Sequence, residues 1–172
     1  MPDAASLTFE PPAGPVTGVV DGSVVRALGI PDAHADRFAA PEPVPPFTEP
    51  FAATAPSPVS PQPAATFVDQ LLRPIEGLEV DEHCQRLSIT VPADVQPGEQ
   101  LPVMVWIHGG SYVIGGGDLP IYDARDLVTE QRVVFVSVTF RLGVLGFLGD
   151  GDAVPANLGL LDIVESLPTS TS

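Results

Sequence analysis

Two continuous apolar runs constrain this chain more than any other feature. Residues 101–107 read LPVMVWI and residues 132–140 read RVVFVSVTF. Unbroken runs rich in β-branched and aromatic residues, without polar alternation, are the pattern of strands covered on both faces. Between them lie a glycine-rich loop, HGGSYVIGGG, and a stretch near 121–131 that reads as a short helix. Asp123 is placed to cap that helix and Asp126 to favour its first turn. Strand, loop, helix, strand is a βαβ unit. It requires a parallel pair with helices on the sheet faces, so the expected class is α/β.

The preceding segments add antiparallel strands. Residues 16–30 read VTGVVDGSVVRALGI, two β-branched runs around Asp21 and Gly22. This predicts an opening hairpin with those two residues at its centre, both at positive φ as a type I′ turn requires. Residues 86–92, RLSITVP, alternate and read as a further strand. The sheet is then mixed. Residues 41–63 hold nine prolines, which predicts neither ladder nor helix. Phe47 and Phe51 argue against a disordered linker there, and for an extended segment wrapped on a surface.

Composition removes several classes of function. The chain has 22 acidic against 7 basic side chains, a net charge of -15, which repels phosphate backbones and excludes nucleic acid as a partner. A single cysteine, Cys84, excludes an internal disulfide. Residues Met1 to Pro12 lack the basic and apolar regions of a secretory leader, and no apolar run is long enough to span a bilayer. The expectation is a cytoplasmic protein with no membrane partner. His34, His83 and His108 match no zinc spacing, and Gly115 to Gly117 are followed by no lysine, so neither a metal nor a cofactor is expected.

The chemistry concentrates at His108, Gly109, Gly110 and Ser111, directly after the first apolar strand. An H-G-G at the carboxyl end of such a strand is where an α/β-hydrolase places half of its oxyanion hole. Acyl transfer passes through a tetrahedral oxyanion, which backbone N–H groups fixed in advance stabilise. Glycines let the backbone adopt the required φ. A strand-to-helix turn can also need glycines for conformation alone.

The surrounding residues decide between these readings. The segment from Pro102 to Val113 resembles the oxyanion strand and loop of type-B carboxylesterases. Val134 to Leu148, VFVSVTFRLGVLGFL, resembles the next strand and turn, and Asn157 to Asp162 resembles the family's N-x-G-L-L-D element. Upstream, Gly29-Ile-Pro, Arg37-Phe38 and the PEPVPPF stretch from Pro41 are similar to the family's early motifs, and Glu82-His83-Cys84 sits where the family has E-D-C-L. The likeness runs in order from about residue 18 to 162.

The resemblance implies an incomplete α/β-hydrolase fold. It contains an N-terminal antiparallel hairpin, the first strands of the central mixed sheet, flanking helices and a long proline-rich loop. Residues 1–172 would be the N-terminal portion of one type-B domain, with 163–172 an atypical tail. The resemblance also implies a small carboxylic ester as substrate of the complete enzyme, with no cofactor. Oxyanion donors would be the amides of Gly110 and Ser111, with Gly109 shaping the turn and His108 structural. The family usually has glycine where Ser111 stands, and serine narrows the allowed φ. Ion pairs Arg37–Glu82 and Arg141–Asp162 would tie loops to the sheet. The family's usual partner for Cys84 is missing.

No G-x-S-x-G nucleophile elbow occurs; Ser111 comes closest, but Val113 stands two residues later. Ten residues follow Asp162, and the acid and histidine of a triad come later still in the order Ser, Asp or Glu, His. Pro168 and the Ser/Thr run after it end any helix. The expectation is a chain that lacks nucleophile, acid and base and is inactive alone, arising from a frameshift, premature stop or misassigned frame. The alternatives are a non-catalytic cholinesterase-like binding protein or the product of a truncated pseudogene. Without the next strand of the fold, residues 103–107 would form an apolar edge, which predicts poor solubility.

Overall fold

The computed structural model describes residues 6–63, 77–96, 98–150 and 153–167. The hairpin forms as β2 (Val16–Asp21) and β3 (Val24–Pro31), antiparallel, with Asp21 opposite Val24. The two turn residues are therefore Gly22 and Ser23, one place later than expected. Of these only Gly22 has positive φ, 64°. Glycine at the first central position with a second residue at negative φ is the pattern of a type II′ loop, which corrects the type I′ expectation. Nor does the hairpin open the sheet: β1 (Ser6–Phe9) precedes it and pairs antiparallel with β2. Exposed Ser6 to Thr8 carry too little apolar character to announce that strand.

The proline-rich segment also departs from expectation. It contributes β5 (Glu42–Pro43), antiparallel to β4 (Ala33–His34), and β6 (Phe51–Ala52), parallel to β2. Ladders this short use the few non-proline amides available: Phe51 N–H donates to Pro15 O and Ala53 N–H to Thr17 O. The segment is more than a surface wrap, since Ala53, Ser57, Val59 and Ser60 are all buried. It approaches β3 at Gly29, where the register with the next strand shifts; a Cβ on Gly29 would stand 2.5 Å from Ala55 O.

The remaining sheet follows the pattern. β7 (Arg86–Pro92), β8 (Val103–Ile107) and β9 (Val134–Thr139) complete an order β1-β2-β3-β7-β9-β8, with β8 and β9 parallel and their neighbours antiparallel. The crossover between β8 and β9 holds a 3-10 turn (Pro120–Tyr122) and α1 (Arg125–Gln131). Ala124, not Asp123, occupies the N-cap, but the Asp123 carboxylate accepts the Arg125 N–H at 3.0 Å and so serves the first turn from one residue further out. Two more helices follow β9: α2 (Gly143–Phe147) and α3 (Leu158–Glu165).

Helices cover both faces of the sheet. Val128 and Ala124 pack with Val24 and Phe135 on one face; Ile163 packs with Val138, Phe140 and Leu142 on the other. A third cluster, Val16, Ala27, Ile30 and Ala53 with Phe47 and Phe51, seats the proline-rich segment. The apolar run at 101–107 is not covered on both faces; as the edge expectation for residues 103–107 has it, β8 lies at the sheet edge, with Val103 63% and Ile107 45% exposed, and among the described residues only β9 pairs with it. Among the described residues no helix is long and apolar enough to cross a membrane. The tail from Pro168 lies outside the described residues.

Candidate active-site loop

β8 delivers the chain to His108, which is buried and stacked on Phe140 with ring centroids 4.6 Å apart. Its Nδ1 lies 2.9 Å from Gly109 O. A carbonyl only accepts, so Nδ1 carries the proton and the ring is the Nδ1–H tautomer. Nε2 is buried without a partner among the described residues. Burial pushes the imidazole pKa below its ordinary value, so the ring stays neutral.

The next residues turn sharply. Gly110 has φ 124°, and a Cβ there would stand 1.8 Å from Ile114 O, so only glycine fits. Val113 and Ile114 N–H both donate to Gly110 O, at 3.0 and 3.2 Å, closing the turn. Ser111 and Tyr112 sit at φ 56° and 61°, in the left-handed region, which costs a side-chain-bearing residue roughly 1–2 kcal/mol. The serine for which sequence left φ in question thus adopts the conformation that glycine would take without strain. Tyr112 compensates by contact: its carbonyl accepts the Gly143 N–H at 2.7 Å, and its ring packs on Phe147 at 4.8 Å. Among the described residues no acceptor bonds the N–H of Gly109, Gly110 or Ser111. The loop is exposed at Gly109 and Ser111. Pre-positioned amides of this kind are donors for an anion.

The second half of the loop is anchored by residues that sequence reading missed. Gln62 makes two hydrogen bonds with the main chain of Gly115, and Gly117 N–H donates to Thr139 Oγ1 at 3.0 Å. Asp118 accepts from Ser57 N–H at 2.6 Å, Ser88 Oγ at 2.7 Å and Ser137 Oγ at 3.3 Å. These partners come from the proline-rich segment, β7 and β9. No local pattern links residues so far apart in the chain, although a polar serine at buried positions of two apolar strands was a usable signal.

The two ion pairs are brought together. Arg37 meets Glu82 through Nε to Oε2 at 2.7 Å and through a second contact between Nη2 and Oε1. The guanidinium holds the Glu82 carboxyl below its ordinary pKa, chiefly by hydrogen bonding. Arg37 is largely exposed, where such pairs contribute little. Arg141 and Asp162 differ: their side chains are 3% and 1% exposed, and they form a two-pronged bond at 2.9 and 2.7 Å. Asp162 also accepts the Arg141 N–H at 3.0 Å, and Arg141 Nη1 donates to Ala39 O at 2.8 Å. The element around them explains itself. Asn157 starts α3 at φ 60°, which asparagine tolerates, and a Cβ on Gly159 would stand 2.4 Å from Arg141 O. Cys84 is fully buried, and burial pushes its thiol up to about 12, so it is inert as a nucleophile.

The sequence profile of the carboxylesterase family matches residues 7–168. A probable N-octanoylanthranilate hydrolase of Rhodococcus erythropolis is 39% identical over 161 residues, 93% of this chain and 35% of that protein. The para-nitrobenzyl esterase of Bacillus subtilis is 37% identical over 161 residues, 90% of this chain and 32% of that protein. The solved structure of a thermophilic PNB esterase superposes with a TM-score of 0.82 at 34% identity, covering 94% of this chain and 34% of that one. The chain spans about a third of the length of these relatives, and its mixed sheet is the corresponding part of an α/β-hydrolase fold. A strand ending in H-G-G, a buried Arg–Asp lock and a match over nearly the whole chain agree: this protein belongs to the carboxylesterase family.

Proposed function

We propose that this chain supplies the oxyanion-binding part of a serine ester hydrolase and does not turn over alone. The carrying observation is the set of amides at Gly109, Gly110 and Ser111 without an acceptor among the described residues, held at the carboxyl end of β8 by a turn only glycine can make at position 110. Gly110 and Ser111 would donate to the oxyanion and Gly109 would shape the approach. In acyl transfer these donors act as negative charge develops on the carbonyl oxygen; losing one costs roughly 2.7–4 kcal/mol of barrier in a known case. The attack itself needs a serine activated by a histidine that an acid orients. No G-x-S-x-G occurs among the 172 residues. His108 cannot take the base role here, because its one free nitrogen is buried and its other is committed to Gly109 O. The substrate class is a small carboxylic ester, which the name of the para-nitrobenzyl esterase supports, whereas the Rhodococcus relative is named for an N-acyl substrate, an amide.

The test has two steps. The DNA is read through codon 162 and several hundred bases beyond in all three frames, and the chain is assayed on p-nitrophenyl acetate with and without any downstream frame restored. The expected result is a G-x-S-x-G and a later histidine in the downstream DNA, hydrolysis by the chain extended through them, and only the buffer rate from residues 1–172. Burst release of nitrophenol by this chain alone would overturn the reading.

A further inference from the structure

We propose that Gln62 is a positioning residue that aims the oxyanion amides; the proposal rests on the oxyanion reading of residues 109–111. Gln62 stands near the end of the proline-rich segment, 53 positions before the residue it holds. Its Oε1 accepts the Gly115 N–H at 2.7 Å, and its Nε2 donates to Gly115 O at 2.8 Å and to Ser60 O at 3.0 Å. The carboxamide therefore mimics one rung of a β-ladder. Its orientation is determined by these partners, since the flipped amide would face donor with donor and acceptor with acceptor.

Gly115 in turn bears on the active loop. Its φ is 122°, and a Cβ there would stand 2.5 Å from His108 Nδ1, so its backbone lies against the imidazole. That same Nδ1 donates to Gly109 O. The carbonyl of Gly109 and the N–H of Gly110 are opposite ends of one planar peptide unit. Holding the oxygen against His108 points the N–H the other way. The contacts thus run from Gln62 to Gly115, to the His108 ring, to the peptide that presents the Gly110 donor.

The neighbours of Gly115 in the chain are held without Gln62. Val59 meets Gly116, the Thr139 hydroxyl accepts from Gly117 N–H, and Asp118 accepts from Ser57 N–H. A methionine would fill the same volume without the hydrogen bonds. What the carboxamide adds is the height at which Gly115 sits on the ring. A misplacement of reacting groups by about 1 Å can cost roughly 100-fold in rate.

The experiment uses two variants, Gln62→Met, which removes all three bonds, and Gln62→Glu, which keeps the acceptor. Amide resonances of the full chain are recorded by ¹⁵N NMR, with Val136 in central β9 as the control for folding, and kcat and KM are measured in the frame-restored enzyme. In Gln62→Met the resonances of Gly109, Gly110, Ser111 and Gly115 are expected to move while Val136 stays. The corresponding kcat is expected to fall about tenfold or more with KM within twofold. Gln62→Glu sets a carboxylate oxygen against Gly115 O and Ser60 O, and should move Gly115 and the loop at least as far as methionine does. Unchanged loop resonances in both variants, or a KM that rises as far as kcat falls, would overturn the role of Gln62. A restored enzyme that is inactive even with Gln62 intact would instead overturn the oxyanion reading, with the loop resonances still deciding what Gln62 holds.

Discussion

β9 and β8 lie side by side and live in different environments. β9 is paired on both sides, by β7 and β8, and buries Phe135, Ser137, Val138 and Thr139. Among the described residues β8 is paired on one side only, and none of its five residues is fully buried. The β9 end is then locked: the chain leaves the strand through Phe140 into Arg141, whose buried pair with Asp162 fastens α3 to the sheet. The β8 end leads to an exposed loop. One region holds its shape through neighbours on every side, the other through a few bonds to a turn. An edge of apolar residues with no charge to guard it is a surface for association.

The largest expected effect breaks the locked side. Asp162→Ala leaves the Arg141 guanidinium buried without its partner, a loss of about 3–5 kcal/mol. Urea denaturation followed by circular dichroism should show the cooperative transition gone or moved far toward zero denaturant. A variant as stable as the parent would mean that the pair carries no weight in holding α3.

The next concerns the open side, where Val103 and Val105 share an apolar groove of about 330 Å³ with Asp32. Burial pushes the Asp32 carboxyl up to about 6, against an ordinary value of 3.8, with the Ser166 hydroxyl donating to it. A raised carboxyl pKa means the fold prefers the protonated form. The cost is absent below pH 3.8, grows between 3.8 and about 6, and is full above that. Asp32→Asn should therefore stabilise the chain by at most about 3 kcal/mol at pH 7.5 and leave it unchanged at pH 3.5. Denaturation midpoints at the two pH values check the sign; equal gains at both would show that ionisation is not the cause.

A matched pair of truncations sharpens the contrast directly. Val138→Ala in β9 removes two methyl groups from a site with no exposure and should cost about 2 kcal/mol. Val103→Ala in β8 should cost under about 0.5 kcal/mol. Val103→Lys should lower self-association in sedimentation velocity. Equal costs at 138 and 103 would mean that β8 is covered in solution.

The smallest effect is at the loop. Ser111→Gly relieves a residue held at φ 56° and should stabilise by about 1 kcal/mol at most, since glycine also frees the unfolded chain. A thermal melt reads it, and a destabilised variant would show that the serine side chain makes a contact worth more than the strain.

Much of this was legible before any coordinates. The strands at 86–92, 103–107 and 134–139 follow from runs of β-branched residues, and the turn at Gly110 from an H-G-G placed after one of them. The pairings Arg37–Glu82 and Arg141–Asp162 came from resemblance, since charge and spacing alone give no partner. The type I′ turn expected at Asp21 and Gly22 was one residue out and of the other type, because D-G and G-S both suit a two-residue loop and only the pairing of Asp21 with Val24 selects the II′ turn at Gly22 and Ser23. Gln62, Thr139 and Asp118 carried no local signal: each acts on residues that only the folded sheet brings near.

Sequence alone determined the strands at 16–30, 86–92, 103–107 and 134–139, the positive φ at Gly22, and which family the chain resembles. Those properties depend on side chains a few residues apart, whose sterics act in any context. Composition alone does not separate LPVMVWI from the equally apolar VVFVSV; the family resemblance pointed to the first as an edge, and the strand order places it there, with the second as a core strand. Burial in a sheet is a property of the neighbours on either side, and those come from distant parts of a chain.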